Sequence, residues 1–102
     1  MQKKNKDDFL KNLFDTVKIK ASSKDKKSYT KFLLKGGKNK IAQKFGEESV
    51  ELIIDYLNGT KKRTIEEAAD LIYHLFVLLY SKKISLFDIK KELQKRQNVR
   101  RK

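Results

Sequence analysis

Proline is missing from all 102 residues, and glycine occurs only at Gly36, Gly37, Gly46 and Gly59. A chain with so few breakers, rich in Lys, Leu and Ile, sustains long helices but lacks the turn chemistry that a multi-stranded sheet needs. The expected fold class is therefore all-α, a small bundle of four to five helices. Length alone sets one domain over residues 1–102, with a modest core and basic flexible ends at about 1–7 and 98–102.

Hydrophobic periodicity places the helices. Phe9, Leu10, Leu13, Phe14 and Val17 share one face of a first helix that ends before Ala21. A polar loop over Ser22 to Lys27 leads to a short helix from Ser28 to Leu34, stopped at Gly36-Gly37, where left-handed backbone angles or a close phosphate are possible. A long helix is expected from Lys38 to Leu57, ending at Asn58-Gly59. Its apolar arc is Ile41, Ala42, Phe45, Leu52, Ile53 and Tyr56, with Lys44, Glu48, Glu51 and Asp55 as a stripe beside it. Thr64 and Glu67 read as a capping box opening the next helix. From Ala68 to Tyr80 that helix is apolar nearly all round, too short and too polar to span a bilayer. Ser85 to Asp88 caps a last helix with Leu86, Ile89 and Leu93 inward, before a basic tail that frays from Arg96. One small bundle cannot easily cover so apolar a helix, so completion of the fold by a symmetric dimer is expected.

Charge is distributed against its own background. The chain carries +13 in total, yet the window Glu47 to Asp70 holds seven acidic residues against three basic ones, a net −4. Within it, Glu48-x-x-Glu51 and Glu67-x-x-Asp70 each keep i, i+3 spacing, so each pair lies on one helix face. A short turn brings the two faces together, and four crowded carboxylates are relieved by divalent cations. Cysteine is absent, so a metal is held by oxygen or imidazole, which favours Mg²⁺ and admits Mn²⁺.

Each residue also has a plainer explanation. Glu67 serves as a capping residue, Glu48 and Glu51 as a solvated face, Asp55 as a lysine's partner. Asp70 is the strongest member, because an ionised carboxylate among apolar residues is costly unless paired or metal-bound. His74 shares the face of Glu67 and Asp70, as a core histidine with one hydrogen bond, a metal ligand, or a group that orients a carboxylate. Lys44 stands one turn before Glu48, suited to hold a phosphate, and Lys40 follows Gly36-Gly37 near a helix start. The basic surplus does not by itself indicate nucleic acid: twenty-two lysines against four arginines are spread along the chain, without a recognised binding motif. No secretory signal is visible at the N-terminus, so a cytoplasmic protein is expected.

Ser28-Tyr29-Thr30, the run Gly37-x-x-Lys40-Ile41-Ala42-x-Lys44-x-Gly46-Glu47-Glu48-x-x-Glu51, and Glu67-Ala68-x-Asp70-Leu71-x-Tyr73-His74-Leu75 closely resemble the phosphoribosyl-ATP pyrophosphatases of histidine biosynthesis. The paired carboxylates alone are shared with the wider all-α, MazG-like NTP pyrophosphatases. The resemblance implies a Mg²⁺-dependent helical homodimer that hydrolyses 1-(5-phosphoribosyl)-ATP to 1-(5-phosphoribosyl)-AMP and pyrophosphate. It implies Glu48, Glu51, Glu67 and Asp70 as metal ligands, Glu47 and Glu48 as catalytic candidates, and Lys40, Lys44 and His74 as substrate contacts. Some members are fused to a cyclohydrolase that performs the next step; a monofunctional chain is expected here. The alternatives are a house-cleaning nucleoside triphosphate pyrophosphatase and a basic helical nucleic-acid-binding module.

Overall fold

The computed structural model describes residues 8–24 and 28–100. Among them are five helices and no strand: α1 Phe9–Ser22, α2 Tyr29–Lys35, α3 Gly37–Asn58, α4 Lys61–Ser81 and α5 Leu86–Arg100. The all-α expectation holds. The expected flexible end at 1–7, positions 101–102 of the expected end at 98–102, and loop positions 25–27 lie outside the described residues, while 98–100 belong to α5.

α3 and α4 form a long antiparallel hairpin, the most intimate pairing in the molecule, closed by Gly59-Thr60. Gly59 has no room for a side chain, since a Cβ there would lie 2.6 Å from Asp55 Oδ1 and 3.0 Å from the Asp55 Cα. At the other end of α3, Gly37 takes a φ of 87°, a left-handed conformation that glycine adopts without the Cβ penalty. It turns the chain from α2 straight into α3.

α1 and α2 pack across the open end of the hairpin. The core there consists of Phe14 and Val17 of α1, Leu33 of α2, Ile41 of α3, and Phe76, Val77 and Leu79 of α4. Phe14 meets Phe76 edge to face, with ring centroids 5.3 Å apart. Thr30 is fully buried and bonds the Tyr73 hydroxyl, so α2 is tied to α4 by a polar pair as well as by Leu33.

Several boundaries differ from the sequence reading. α4 begins a turn earlier than expected, because Thr60 caps it by accepting from the Arg63 N–H at 3.1 Å. Thr64, inside the helix, donates to the carbonyls of Asp55 and Thr60 instead, so Glu67 is not a capping residue. α1 runs through Ala21 to Ser22, whose hydroxyl bonds the Lys18 carbonyl. α5 stays helical past Arg96 to Arg100. The Ser85 cap is as expected: its hydroxyl accepts from the Asp88 N–H at 3.1 Å, and Asp88 Oδ2 accepts from the Ser85 N–H at 3.0 Å.

The apolar faces are less fully used than the periodicity implies. On α3 only Ile41 is buried, and Ile53 and Tyr56 of the expected arc face solvent. α4 is covered on all sides from Tyr73 to Tyr80, where no residue is exposed, but nearer the closed end Ala69, Asp70 and Ile72 are exposed. α5 contributes Leu86 and Ile89 to the core, while Leu93 is exposed because the helix leaves the body after its first turns. The radius of gyration, 15.7 Å, exceeds the ~13 Å of a compact 100-residue domain. No helix among the described residues is long and apolar enough to cross a membrane.

Candidate metal centre

The hairpin register builds the site. Thr64 of α4 bonds the Asp55 carbonyl of α3 at 3.1 Å, which fixes the two helices against each other. Counting back from Asp55 reaches Glu48, and counting forward from Thr64 reaches Glu67 and Asp70, on the same stretch of the antiparallel pair. One ligand oxygen from each of these three residues lies within 4.8 Å of the others. Glu51 is exposed and outside this trio, yet its charge still acts on Glu67.

Burial is distributed opposite to the sequence expectation. Asp70, expected to be the hard member to hide, is exposed, in a stretch of α4 where the apolar Ile65, Ala69 and Ile72 are exposed as well. Glu67 is the buried carboxylate, at 5% exposure. Its Oε2 accepts from Arg63 Nη2 at 2.7 Å, and its Oε1 is buried without any hydrogen-bond partner. Burial pushes the Glu67 carboxyl above the usual range, Glu51, Asp70 and Asp55 push the same way, and Arg63 opposes them. A buried oxygen with no donor, on a residue that groups with two other carboxylates, is one that a hard cation satisfies.

The remaining candidates surround the trio. Glu47 is exposed and accepts from Gln43 Nε2 at 3.0 Å, with Lys44 Nζ at 3.4 Å; these two hold its carboxyl below the usual range. That makes Glu47 a weaker proton acceptor than an ordinary glutamate. Lys44 is half-buried beside Glu47, and the Glu47 bond, followed by Tyr29, lifts its pKa. Lys40 lies one turn earlier, its ammonium 5.6 Å from the Phe32 ring centroid.

His74 is buried with both ring nitrogens engaged. Nδ1 lies 2.8 Å from the Asp70 carbonyl, which can only accept, so Nδ1 carries the proton. In the neutral ring Nε2 then accepts from the Tyr29 hydroxyl, 2.7 Å away. A direct substrate contact through either nitrogen would require one of these bonds to break. Tyr29 itself was assigned no role by spacing, and it stands in the field of the site. Partial burial raises its phenol pKa, Lys44 opposes, and Glu48 and Asp70 add to the rise. Arg63 was likewise missed, although its i, i+4 spacing to Glu67 was visible.

Residues 10–97 match the family described as phosphoribosyl-ATP pyrophosphohydrolase. This chain belongs to that family. Among relatives, it is 50% identical over 88 residues to the histidine biosynthesis bifunctional protein HisIE of Bacteroides thetaiotaomicron, covering 86% of this chain and 43% of that one. The corresponding protein of Staphylococcus aureus is 42% identical over 91 residues, covering 89% and 43%. A phosphoribosyl-ATP pyrophosphatase of Bacillus cytotoxicus is 44% identical over 87 residues, covering 85% and 81%. The chain thus spans less than half the length of the bifunctional relatives and most of the shorter one. The pyrophosphohydrolase match takes in all five helices apart from the first residue of α1 and the last three of α5, and with them every carboxylate of the site.

Proposed function

We propose that this chain, as a single domain, hydrolyses 1-(5-phosphoribosyl)-ATP to 1-(5-phosphoribosyl)-AMP and pyrophosphate, the second step of histidine biosynthesis, with Mg²⁺ as its ion and Mn²⁺ as a substitute. The observation that carries this reading is the grouping of Glu67, which holds a buried and unpartnered Oε1, with Glu48 and Asp70 in a member of this family. Glu48, Glu67 and Asp70 would hold the ion, with Glu51, whose charge acts on Glu67, as the further candidate ligand. Bound there, a hard divalent cation supplies Lewis-acid polarisation of the phosphoanhydride. Lys44, 3.4 Å from Glu47 and in the field of Glu48, would receive phosphate oxygens, and Lys40, one turn earlier on α3, would add its charge. Glu48 is favoured over Glu47 to accept the proton of the attacking water, since it lies within the trio and Glu47 is already bonded to two donors.

The working form is proposed to be a homodimer. Val50, Ile53, Ile54 and Leu57 are exposed at i, i+3, i+4 and i+7 on α3, and Ile65 and Ile72 are exposed on α4, an apolar surface that a second copy would cover. Sedimentation equilibrium should return twice the 12.0 kDa chain mass; a monomer at working concentration removes this part of the reading.

The activity is tested by pyrophosphate release from phosphoribosyl-ATP with Mg²⁺. Glu67→Gln and Asp70→Asn should each lose on the order of 100-fold in kcat/KM, since even outer partners of metal ligands cost 10–100-fold. Turnover at wild-type rates in both variants would remove the carboxylates from the mechanism. Faster hydrolysis of free nucleoside triphosphates than of phosphoribosyl-ATP would overturn the substrate assignment.

A further inference from the structure

Arg63 sits on the first turn of α4 and reaches three carboxylates at once. Nη1 lies 2.8 Å from Glu66 Oε1, while Nη2 lies 2.7 Å from Glu67 Oε2 and 3.7 Å from Asp55 Oδ2. These pairs are not equivalent. Glu66 is exposed, so its pair is screened by water and contributes little. Asp55 belongs to α3, so the guanidinium links the two helices where the hairpin closes. Glu67 is buried, and Arg63 engages one of its two oxygens.

A carboxylate with one oxygen held by a planar, preorganised donor loses much of its freedom to rotate about its last side-chain bond. With Oε2 bonded to Arg63, Oε1 is the oxygen left for the site, and it is the buried atom without a partner. The cationic fork also offsets repulsion among Glu67, Asp55 and Glu66 before any ion enters. Its position relative to Glu67 is fixed by i, i+4 spacing on one helix, so the orientation is set locally rather than by a loop.

We propose that Arg63 is a positioning residue of the metal centre: it fixes the rotamer of Glu67 so that Oε1 is presented as a ligand, without touching substrate. This rests on the metal-binding reading above. Arg63 is half-exposed, so its replacement leaves the apolar core untouched.

The test is Mn²⁺ binding to the purified full chain, followed by electron paramagnetic resonance of the free ion, for wild type, Arg63→Gln, Arg63→Lys, Glu66→Gln and Glu67→Gln. Arg63→Gln should weaken Mn²⁺ binding by about tenfold or more, in the range for groups that orient metal ligands. Arg63→Lys should fall between Gln and wild type, and Glu66→Gln should bind as wild type does. The metal concentration for half-maximal activity should rise in Arg63→Gln more than kcat at saturating metal falls. A purely structural ion pair would lower the melting temperatures of Arg63→Gln and Glu66→Gln alike and leave Mn²⁺ affinity unchanged; that result overturns the proposal and spares the metal reading. Wild-type protein that binds no Mn²⁺, or binds it equally well after Glu67→Gln, overturns both.

Discussion

The two ends of the α3–α4 hairpin are made from the same two helices and are used in opposite ways. At the open end, Ile41, Phe76, Val77 and Leu79 are buried against Phe14, Val17 and Leu33, and the polar groups that reach the interior are paired, as Thr30 is with Tyr73. At the closed end, Ile53, Ile54, Leu57 and Ile65 are bare, and the buried side chain is a carboxylate with an unpartnered oxygen. The apolar core lies at one end and the carboxylates of the proposed cation site at the other. The difference follows from where α1 and α2 dock, since both cover the open end and leave the closed end to solvent or to a partner.

Substitution at the open end should therefore affect folding most. Leu33→Ala removes a side chain that is 1% exposed at the centre of the core, and it should cost about 2–5 kcal/mol of unfolding free energy by urea titration. A loss well under 1 kcal/mol would mean that α2 is not part of the cooperative core. Thr30→Val deletes the partner of the Tyr73 hydroxyl in a fully buried position, and about 1–3 kcal/mol is expected. Gly37→Ala forces a side chain into left-handed backbone, costing about 1–2 kcal/mol, although nothing lies within 4 Å of the added Cβ. None of the three should change Mn²⁺ affinity per folded molecule if the ends are independent.

The open end was also the more legible in sequence. Leu13, Phe14 and Val17 at helical spacing, and a run ending at Gly36-Gly37, specify α1 and α2 because local periodicity and breakers determine them. The closed end was legible in composition but not in detail. Spacing and the resemblance both pointed to Glu48, Glu51, Glu67 and Asp70, and the fold groups three of them and leaves Glu51 outside. Which of them is buried depends on the rotation of α4 about its axis, and that is set by packing against α1, α2 and α3 rather than by its own sequence. The exchange of burial between Asp70 and Glu67 is such a case. The cap failed for a related reason: Thr60 and Thr64 both suit an N-cap, and the choice depends on where α3 ends at Gly59. Tyr29 was invisible as a site residue because its partner His74 lies on another helix, whereas Arg63 was overlooked despite its i, i+4 spacing to Glu67.

The smallest expected effect concerns two carboxylates, one from each end, whose proton affinities are displaced in opposite directions. Asp88, at the start of α5 beside the open end, is held below its ordinary range by the Ser85 main-chain N–H and then by the Ser85 side chain. Glu67, at the closed end, is held above it, chiefly by burial. The folded state binds the Asp88 proton more weakly than the unfolded state does, so this group stabilises the fold above its unfolded pKa and loses that contribution as pH falls through its folded one. For Glu67 the folded state binds the proton more tightly, so its contribution is present below the unfolded pKa and disappears as pH rises through the folded one. Metal-free melting temperatures from pH 7 down into the carboxylate range should therefore separate the two variants. Asp88→Asn should be slightly less stable than wild type at neutral pH, and the gap should close on acidification. Glu67→Gln should equal or exceed wild type at neutral pH, with its advantage shrinking as wild-type Glu67 takes up its proton. Parallel curves for the two variants would mean that the ends of the hairpin do not differ electrostatically in the way their geometry requires.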